Sequence, residues 1–176
     1  TSYLDIEPEL GVIVGGQEPQ IAGYVIFNDA SARDIQLPEM FGTGPARSKD
    51  FMRGNGVGPW LVTPDEIPDP LGLKVDVRVG DRVHWEGHTS EYSRSPQEVL
   101  DFVRGIFTPP PGTLLGMGTV PDTTGLDRDE WLEPGDEVHI TIEGLGTLIQ
   151  RFPRDIPPLR EGRWGKRSHP LIHYIK

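Results

Sequence analysis

Cysteine is absent from the chain. Disulfides, thiol nucleophiles and cysteine-ligated zinc are therefore excluded. Long apolar runs are also missing, and no stretch approaches the roughly 18 residues that suggest a membrane-spanning helix. Thr1 to Leu10 has neither the basic start nor the apolar stretch of a secretion signal, and the chain does not begin with Met. A cytoplasmic location is the expectation. Positive charge is scarce: 17 Lys and Arg face 27 Asp and Glu, a formal net charge of −10. That argues against a nucleic-acid partner. The scarcity is uneven, because seven of the basic residues fall in 151–176 beside only two acidic ones. This basic, proline-bearing tail is expected to pack on its own acidic domain, 1–150, or on a second subunit.

Glycine (22) and proline (18) are plentiful in a chain of 176 residues, without any repeat. The length suits one domain with a sizeable core, and the composition favours short strands and turns over long helices. Strands are predicted over Leu4–Val14, 21–28, Trp60–Thr63, Leu73–Val79, Arg82–Gly87, Thr113–Met117, Glu137–Ile142 and Thr147–Arg151. Pro8 inside the first of these predicts an edge position or a bulge. Ser95-Pro96-Gln97-Glu98 opens the one convincing helix, with an N-cap, Pro at N1 and a capping box. Leu37–Arg53 reads as irregular, and Thr63–Ile67 as a single helical turn. The glycines and lysine of 42–49 lack P-loop spacing, so a phosphate cradle is rejected. His84 and His88 lie four apart on a strand, about 13 Å from each other, too far to share an ion.

The chain is organised around Phe27-Asn28-Asp29-Ala30-Ser31-Ala32-Arg33-Asp34-Ile35-Gln36. An apolar strand breaks there into acids, a hydroxyl, a base and an amide, the composition of a strand end that delivers polar groups to a pocket. Glu7 and Glu9 share one strand face, and Asp29 ends the next strand. Antiparallel neighbours lie close to 5 Å apart, so the three carboxylates can converge. Three hard oxygen ligands suit Mg²⁺, Mn²⁺ or Ca²⁺. Spacing alone leaves open the other reading, an acidic strand face in solvent.

Glu-x-Glu, the decapeptide, Lys49-Asp50-Phe51 and Gly58-Pro59-Trp60 resemble the fumarylacetoacetate hydrolase family. Gly116-Met117-Gly118-Thr119, Pro134-Gly135-Asp136 and Gly144-Leu145-Gly146 continue the likeness in order, over roughly residues 4–150. The resemblance implies a mainly β fold with short helices (α+β), a mixed β-sheet roll or sandwich, assembled as a homodimer. It implies a divalent ion on Glu7, Glu9 and Asp29, and substrate contacts from Arg33, Gln36, Lys49 and Thr119. It implies hydrolytic C–C cleavage of an acylpyruvate- or fumarylpyruvate-like 2-oxo acid, with the metal and the cations stabilising an enolate. Family members also decarboxylate, isomerise or dehydrate such acids. A binding module that keeps the metal without turnover is the third reading. In the family, a segment ahead of Glu-x-Glu commonly supplies a His. This chain begins six residues before Glu7, and none of His84, His88, His139, His169 or His173 matches that position.

Overall fold

The structure is a computed structural model and describes residues 1–42, 44–51 and 53–154. His169, His173 and most of the basic tail lie outside the described residues.

Among the described residues, ten strands form three sheets. The first four-stranded sheet has the order β5-β3-β2-β8, from β2 (Pro8–Gly15), β3 (Gln20–Asp29), β5 (Asn55–Val62) and β8 (Leu114–Thr119). The second has the order β10-β9-β6-β7, from β6 (Lys74–Val79), β7 (Val83–His88), β9 (Glu137–Ile142) and β10 (Gly146–Arg151). A short ladder joins β1 (Leu4–Asp5) to β4 (Ser31–Ala32). The mostly β architecture with short helices is what the sequence suggests. Its described ladders are all antiparallel, so the sheets are not mixed in strand direction.

Alternation builds the core. Val75, Val77 and Val79 of β6 and Val138, Ile140 and Ile142 of β9 point inward, while Lys74, Asp76 and Arg78 point out. They meet Leu10, Val12, Tyr24 and Ile26 of the other sheet in one continuous cluster. Each such side chain gains about 1.5–3 kcal/mol by leaving water. The roll closes where the edge strands β5 and β10 meet. Gly56 makes that approach feasible, because a Cβ there would stand 2.5 Å from Gln150 Oε1.

Three local expectations are corrected. Of the two places expected for Pro8, the edge is ruled out: β2 lies between β3 and β8, and Pro8 is its first residue, where a missing N–H is tolerated, while the register of β2 on β8 does shift close by, between Glu9 and Gly11. Its carbonyl accepts from Val120 N at 2.9 Å. The decapeptide does not run into irregular chain but into α1 (Arg33–Met40). Thr63–Ile67 is a hydrogen-bonded turn, with Glu66 N donating to Thr63 O, and no helix. Helix α2 (Pro96–Arg104) has the expected capping box, Ser95 with Glu98. A four-residue helix, α3 (Gly125–Arg128), follows β8.

Candidate metal centre

β2 and β3 pair with Pro8 opposite Asn28 and Glu9 opposite Phe27, which brings the start of β2 beside the end of β3. Asp29 N donates to Glu7 O at 3.1 Å, fixing the turn of chain that precedes β2. Glu7, Glu9 and Asp29 consequently offer carboxylate oxygens that all lie within 4.8 Å of one another.

Glu9 is the buried member of this trio. It pairs across the ladder with Thr119, and its Oε2 accepts from Gly118 N at 3.0 Å. Gly118 adopts φ +91°, a conformation that favours glycine. The Gly118 carbonyl accepts in turn from the Tyr92 hydroxyl at 2.8 Å, and Leu10 N donates to that same hydroxyl at 3.1 Å. Gly116 leaves the space that the Glu9 carboxylate fills. Burial pushes Glu9 up to about 7; the Gly118 amide opposes this, and the negative charges of Asp29 and Glu7 reinforce it.

Two cations stand over the other carboxylates. Lys49 Nζ lies 2.5 Å from Glu7 Oε2, 2.8 Å from Asp29 Oδ2 and 3.0 Å from the Asp29 carbonyl. The buried Arg33 donates from Nη1 to Glu7 Oε1 at 2.5 Å and to Gln36 Oε1 at 2.9 Å. Burial raises the pKa of Glu7, but Arg33 and Lys49 outweigh it and hold this carboxyl below the usual range. Every residue expected at the site is thus gathered: Glu7, Glu9, Asp29, Arg33, Gln36, Lys49 and Thr119.

The donor set fits a hard divalent cation. Asp5, which pairs with Arg33, belongs to the same cluster. With all four carboxylates ionised, two cations would leave two negative charges, which one divalent ion would cancel. Among the described residues, Glu9 Oε1 and Asp29 Oδ1 accept no hydrogen bond, and each Glu7 oxygen keeps a lone pair beyond the one its cation uses. All are hard oxygens of the kind that Mg²⁺, Mn²⁺ and Ca²⁺ take.

Other sequence candidates lie elsewhere. His84 contacts Asp76 at 2.5 Å, His88 contacts Ser90 and His139 contacts Glu137, all on or beside the second sheet. Asp34 accepts from Ser2 N at 3.0 Å, and Ser31 donates to Asp29 O. Sequence reasoning missed Asp5 and Asn28. The buried Asn28 accepts from Glu7 N at 3.0 Å and donates to Gln150 Oε1 at 2.8 Å. Their positions beside Glu7 and Asp29 were the available signal.

The family profile described as fumarylacetoacetate (FAA) hydrolase C-terminal matches residues 1–153. The chain is 30% identical over 165 residues to an uncharacterized protein of Staphylococcus haemolyticus, covering 88% of this chain and 54% of that one. It spans about half the length of the curated relatives it matches. Among solved structures it is similar to a fumarylacetoacetate hydrolase from Exiguobacterium antarcticum, with 29% identity, TM-score 0.77, and 87% and 57% of the two chains covered. It is also similar to a 2-keto-3-deoxy-D-arabinonate dehydratase complexed with magnesium and 2,5-dioxopentanoate (31%, TM-score 0.72, 86% and 53%). A 5-carboxymethyl-2-hydroxymuconate delta-isomerase from Mycobacterium smegmatis gives 28%, TM-score 0.71, and 91% and 60%. With the profile spanning most of its length, the chain belongs to the fumarylacetoacetate hydrolase family.

Proposed function

We propose that this chain is the catalytic domain of a divalent-metal-dependent hydrolase that cleaves a C–C bond in an acylpyruvate- or fumarylpyruvate-like 2-oxo acid. The observation that carries the reading is the convergence of Glu7, Glu9 and Asp29 within 4.8 Å, with Lys49 paired to Glu7 and Asp29 and Arg33 paired to Glu7. Glu7, Glu9 and Asp29 would hold Mg²⁺, or Mn²⁺ or Ca²⁺ in its place. Bound there, the ion would supply Lewis acidity toward the carbonyl oxygens of a 1,3-dicarbonyl or 2-oxo acid. Lys49 and Arg33 place fixed positive charge where an enolate develops, in a site already organised before reaction. Gln36 and Thr119 orient the substrate from α1 and β8.

A second reading keeps the site and changes the reaction to dehydration, isomerisation or decarboxylation of a related acid. Two observations favour it. The solved relatives include a dehydratase and an isomerase. The described histidines are all engaged away from the site, so none of them is placed as a hydrolytic base.

The protein would act in the cytoplasm as a homodimer. No helix among the described residues is long and apolar enough to cross a membrane. Val57, Trp60 and Leu61 on β5 and Ile149 on β10 are exposed large apolar side chains, which supports self-association through that face. The deciding experiment incubates the full chain with Mg²⁺ or Mn²⁺ and a panel of acylpyruvates, 2-oxo-3-deoxy acids and 2-hydroxymuconate-type acids, identifying products by mass. Pyruvate plus the matching carboxylic acid is the expected outcome. A dehydrated or isomeric product would establish the second reading. Ion binding without any turnover would refute both and leave a binding module.

A further inference from the structure

Asp5 is 1% exposed, yet it carries a carboxylate. Its Oδ1 accepts from Ile6 N at 2.8 Å and from Gly125 N at 2.7 Å. Its Oδ2 accepts from Leu126 N at 3.1 Å and from Arg33 Nε at 2.8 Å, with Arg33 Nη2 at 2.7 Å. Every partner is a donor, so an amide, which would turn an N–H toward other N–H groups, cannot replace the acid. The partners come from three places: the residue that follows β1, the first turn of α3, and the first residue of α1.

Arg33 is committed just as fully. Nε and Nη2 go to Asp5, while Nη1 is shared by Glu7 Oε1 and Gln36 Oε1. The guanidinium fork therefore transmits an orientation. Asp5 holds one edge, and the other edge fixes one oxygen of Glu7 and the amide of Gln36. A lysine could supply the charge but could not span both edges at once. The segment that Asp5 grips, Gly125–Leu126, follows β8 and its terminal Thr119. One buried carboxylate thus joins the α1 wall of the site to the wall that ends in Thr119. Gly125 allows the grip, because a Cβ there would lie 2.8 Å from Asp5 Oδ1 and 2.2 Å from Glu130 O.

We propose that Asp5 is a positioning residue of the site: acting through the Arg33 fork, it sets Glu7 and Gln36 for ion and substrate. The proposal rests on the reading of Glu7 as a metal ligand. It requires no contact between Asp5 and either ion or substrate.

The test is a double-mutant cycle read by Mn²⁺ titration calorimetry, with kcat and KM on the best substrate, using Asp5→Asn, Arg33→Lys and the double variant. Each single change is expected to weaken Mn²⁺ binding about 10–100-fold, the usual cost of losing an outer-shell partner. The double variant is expected to be no worse than the weaker single, because both remove the same device. Multiplied losses in the double variant would overturn the proposal. So would Mn²⁺ affinity and kcat that stay unchanged while the melting temperature falls, which is the signature of a merely structural acid. Arg33→Lys keeps charge and bulk, so it decides the matter if Asp5→Asn fails to fold. Full Mn²⁺ affinity in Arg33→Lys would show that charge, not the fork, is what Glu7 needs. Absence of Mn²⁺ binding by the unmutated chain would instead refute the metal reading. In that case the NMR signal of Arg33 Nε–H decides. Slow solvent exchange of that proton, lost in Asp5→Asn, is expected; fast exchange in the unmutated chain refutes the brace.

Discussion

Gly116 gives the sharpest test of whether the Glu9 carboxylate is seated for a ligand. A Cβ at position 116 would stand 2.3 Å from Glu9 Oε2, whereas ordinary contact begins at 3.4 Å, so the oxygen must retreat by about 1 Å. The next neighbours, Phe27 Cδ1 and Cε1 at 3.3 Å, give way by only a tenth or so. Only a side-chain end has to move, so the fold of Gly116→Ala is expected to survive. Displacement would cost the Gly118 N–Glu9 hydrogen bond, a charged bond worth about 1.5–3 kcal/mol. The lower entropy of the unfolded alanine chain returns about 0.4–1 kcal/mol. The expected net loss in a urea melt is therefore about 1–2 kcal/mol. Metal binding should suffer more visibly, since metal–oxygen distances tolerate only a few tenths of an ångström around 2.0–2.6 Å. Mn²⁺ affinity by calorimetry is expected to fall at least about 10–100-fold, the range known for disturbed outer-shell partners. Gly11→Ala is the control. Its Cβ would press on Val25 Cγ2 at 2.7 Å, Leu114 Cδ1 at 2.9 Å and Phe27 Cβ at 3.2 Å, apolar atoms rather than a carboxylate. It should cost stability and spare metal affinity. If Gly116→Ala binds Mn²⁺ within twofold of the unmutated chain, Glu9 is not a ligand and the trio is not a metal centre.

Two further outcomes are expected. In metal-free protein the Glu9 carboxyl is raised from 4.5 to about 7, first by burial and then by the charges of Asp29 and Glu7. Its proton is bound more tightly folded than unfolded, so this contribution to stability is complete below about pH 4.5 and is lost as pH rises through about 7. The loss is on the order of 3 kcal/mol. Urea melts of chelator-treated protein from pH 4.5 to 8 should show this decline and Glu9→Gln should lack it, while Mn²⁺ affinity climbs with pH toward 7 as the ligand sheds its proton. Asn28→Ala should strand the Glu7 amide and Gln150 Oε1 and cost about 1–3 kcal/mol for each unpaired group; a urea midpoint unchanged from the parent would show that water replaces the amide.

Much of this architecture was legible because local chemistry and tertiary need agree. Glu137–Ile142 alternates cleanly, and the strand occupies the residues that the pattern marks. Ser95 and Glu98 announce α2 because their side chains cap it. Helix α1 gives no such signal. Its N-cap is Ala32, without a capping side chain, and Pro38 lies inside it. Tertiary bonds hold it instead: Asp5 and Glu7 on Arg33, Ser2 N on Asp34, and Glu39 on the backbone of 46–48. The strand expected at Trp60–Thr63 begins earlier, with the glycine-rich 55–58 as the first half of β5, because β3 supplies the pairing that propensity withholds. The buried bonding of Asp5 is invisible for the same reason, since two of its donors, Gly125 and Leu126, lie 120 and 121 positions away in the chain.

The placement of Lys49 links these electrostatics to the proposed chemistry. Its ammonium takes one oxygen each from Glu7 and Asp29, two of the three carboxylates offered to the ion. A cation in that place lowers the repulsion among the three and keeps two of them oriented before the ion arrives. It also competes with the ion for the same lone pairs. Glu9 has no such ion pair; burial first, then the charges of Asp29 and Glu7, raise its pKa, and Lys49 offsets only part of this from a distance. Preorganisation by Lys49 and Arg33 therefore falls on Glu7 and Asp29, and the demand for a divalent ion concentrates on Glu9. Removing Lys49 relieves the competition and the preorganisation together, so metal affinity in Lys49→Met should change less than in Glu9→Gln. Turnover, which draws on the Lys49 charge as the enolate forms, should fall by about 10²–10³, as for a lost oxyanion donor. Calorimetry and single-turnover rates on the two variants separate these roles. A Lys49→Met variant that loses Mn²⁺ binding but turns over normally once saturated would reverse the assignment, making Lys49 a support for the ligands and leaving Arg33 as the cation that meets the enolate.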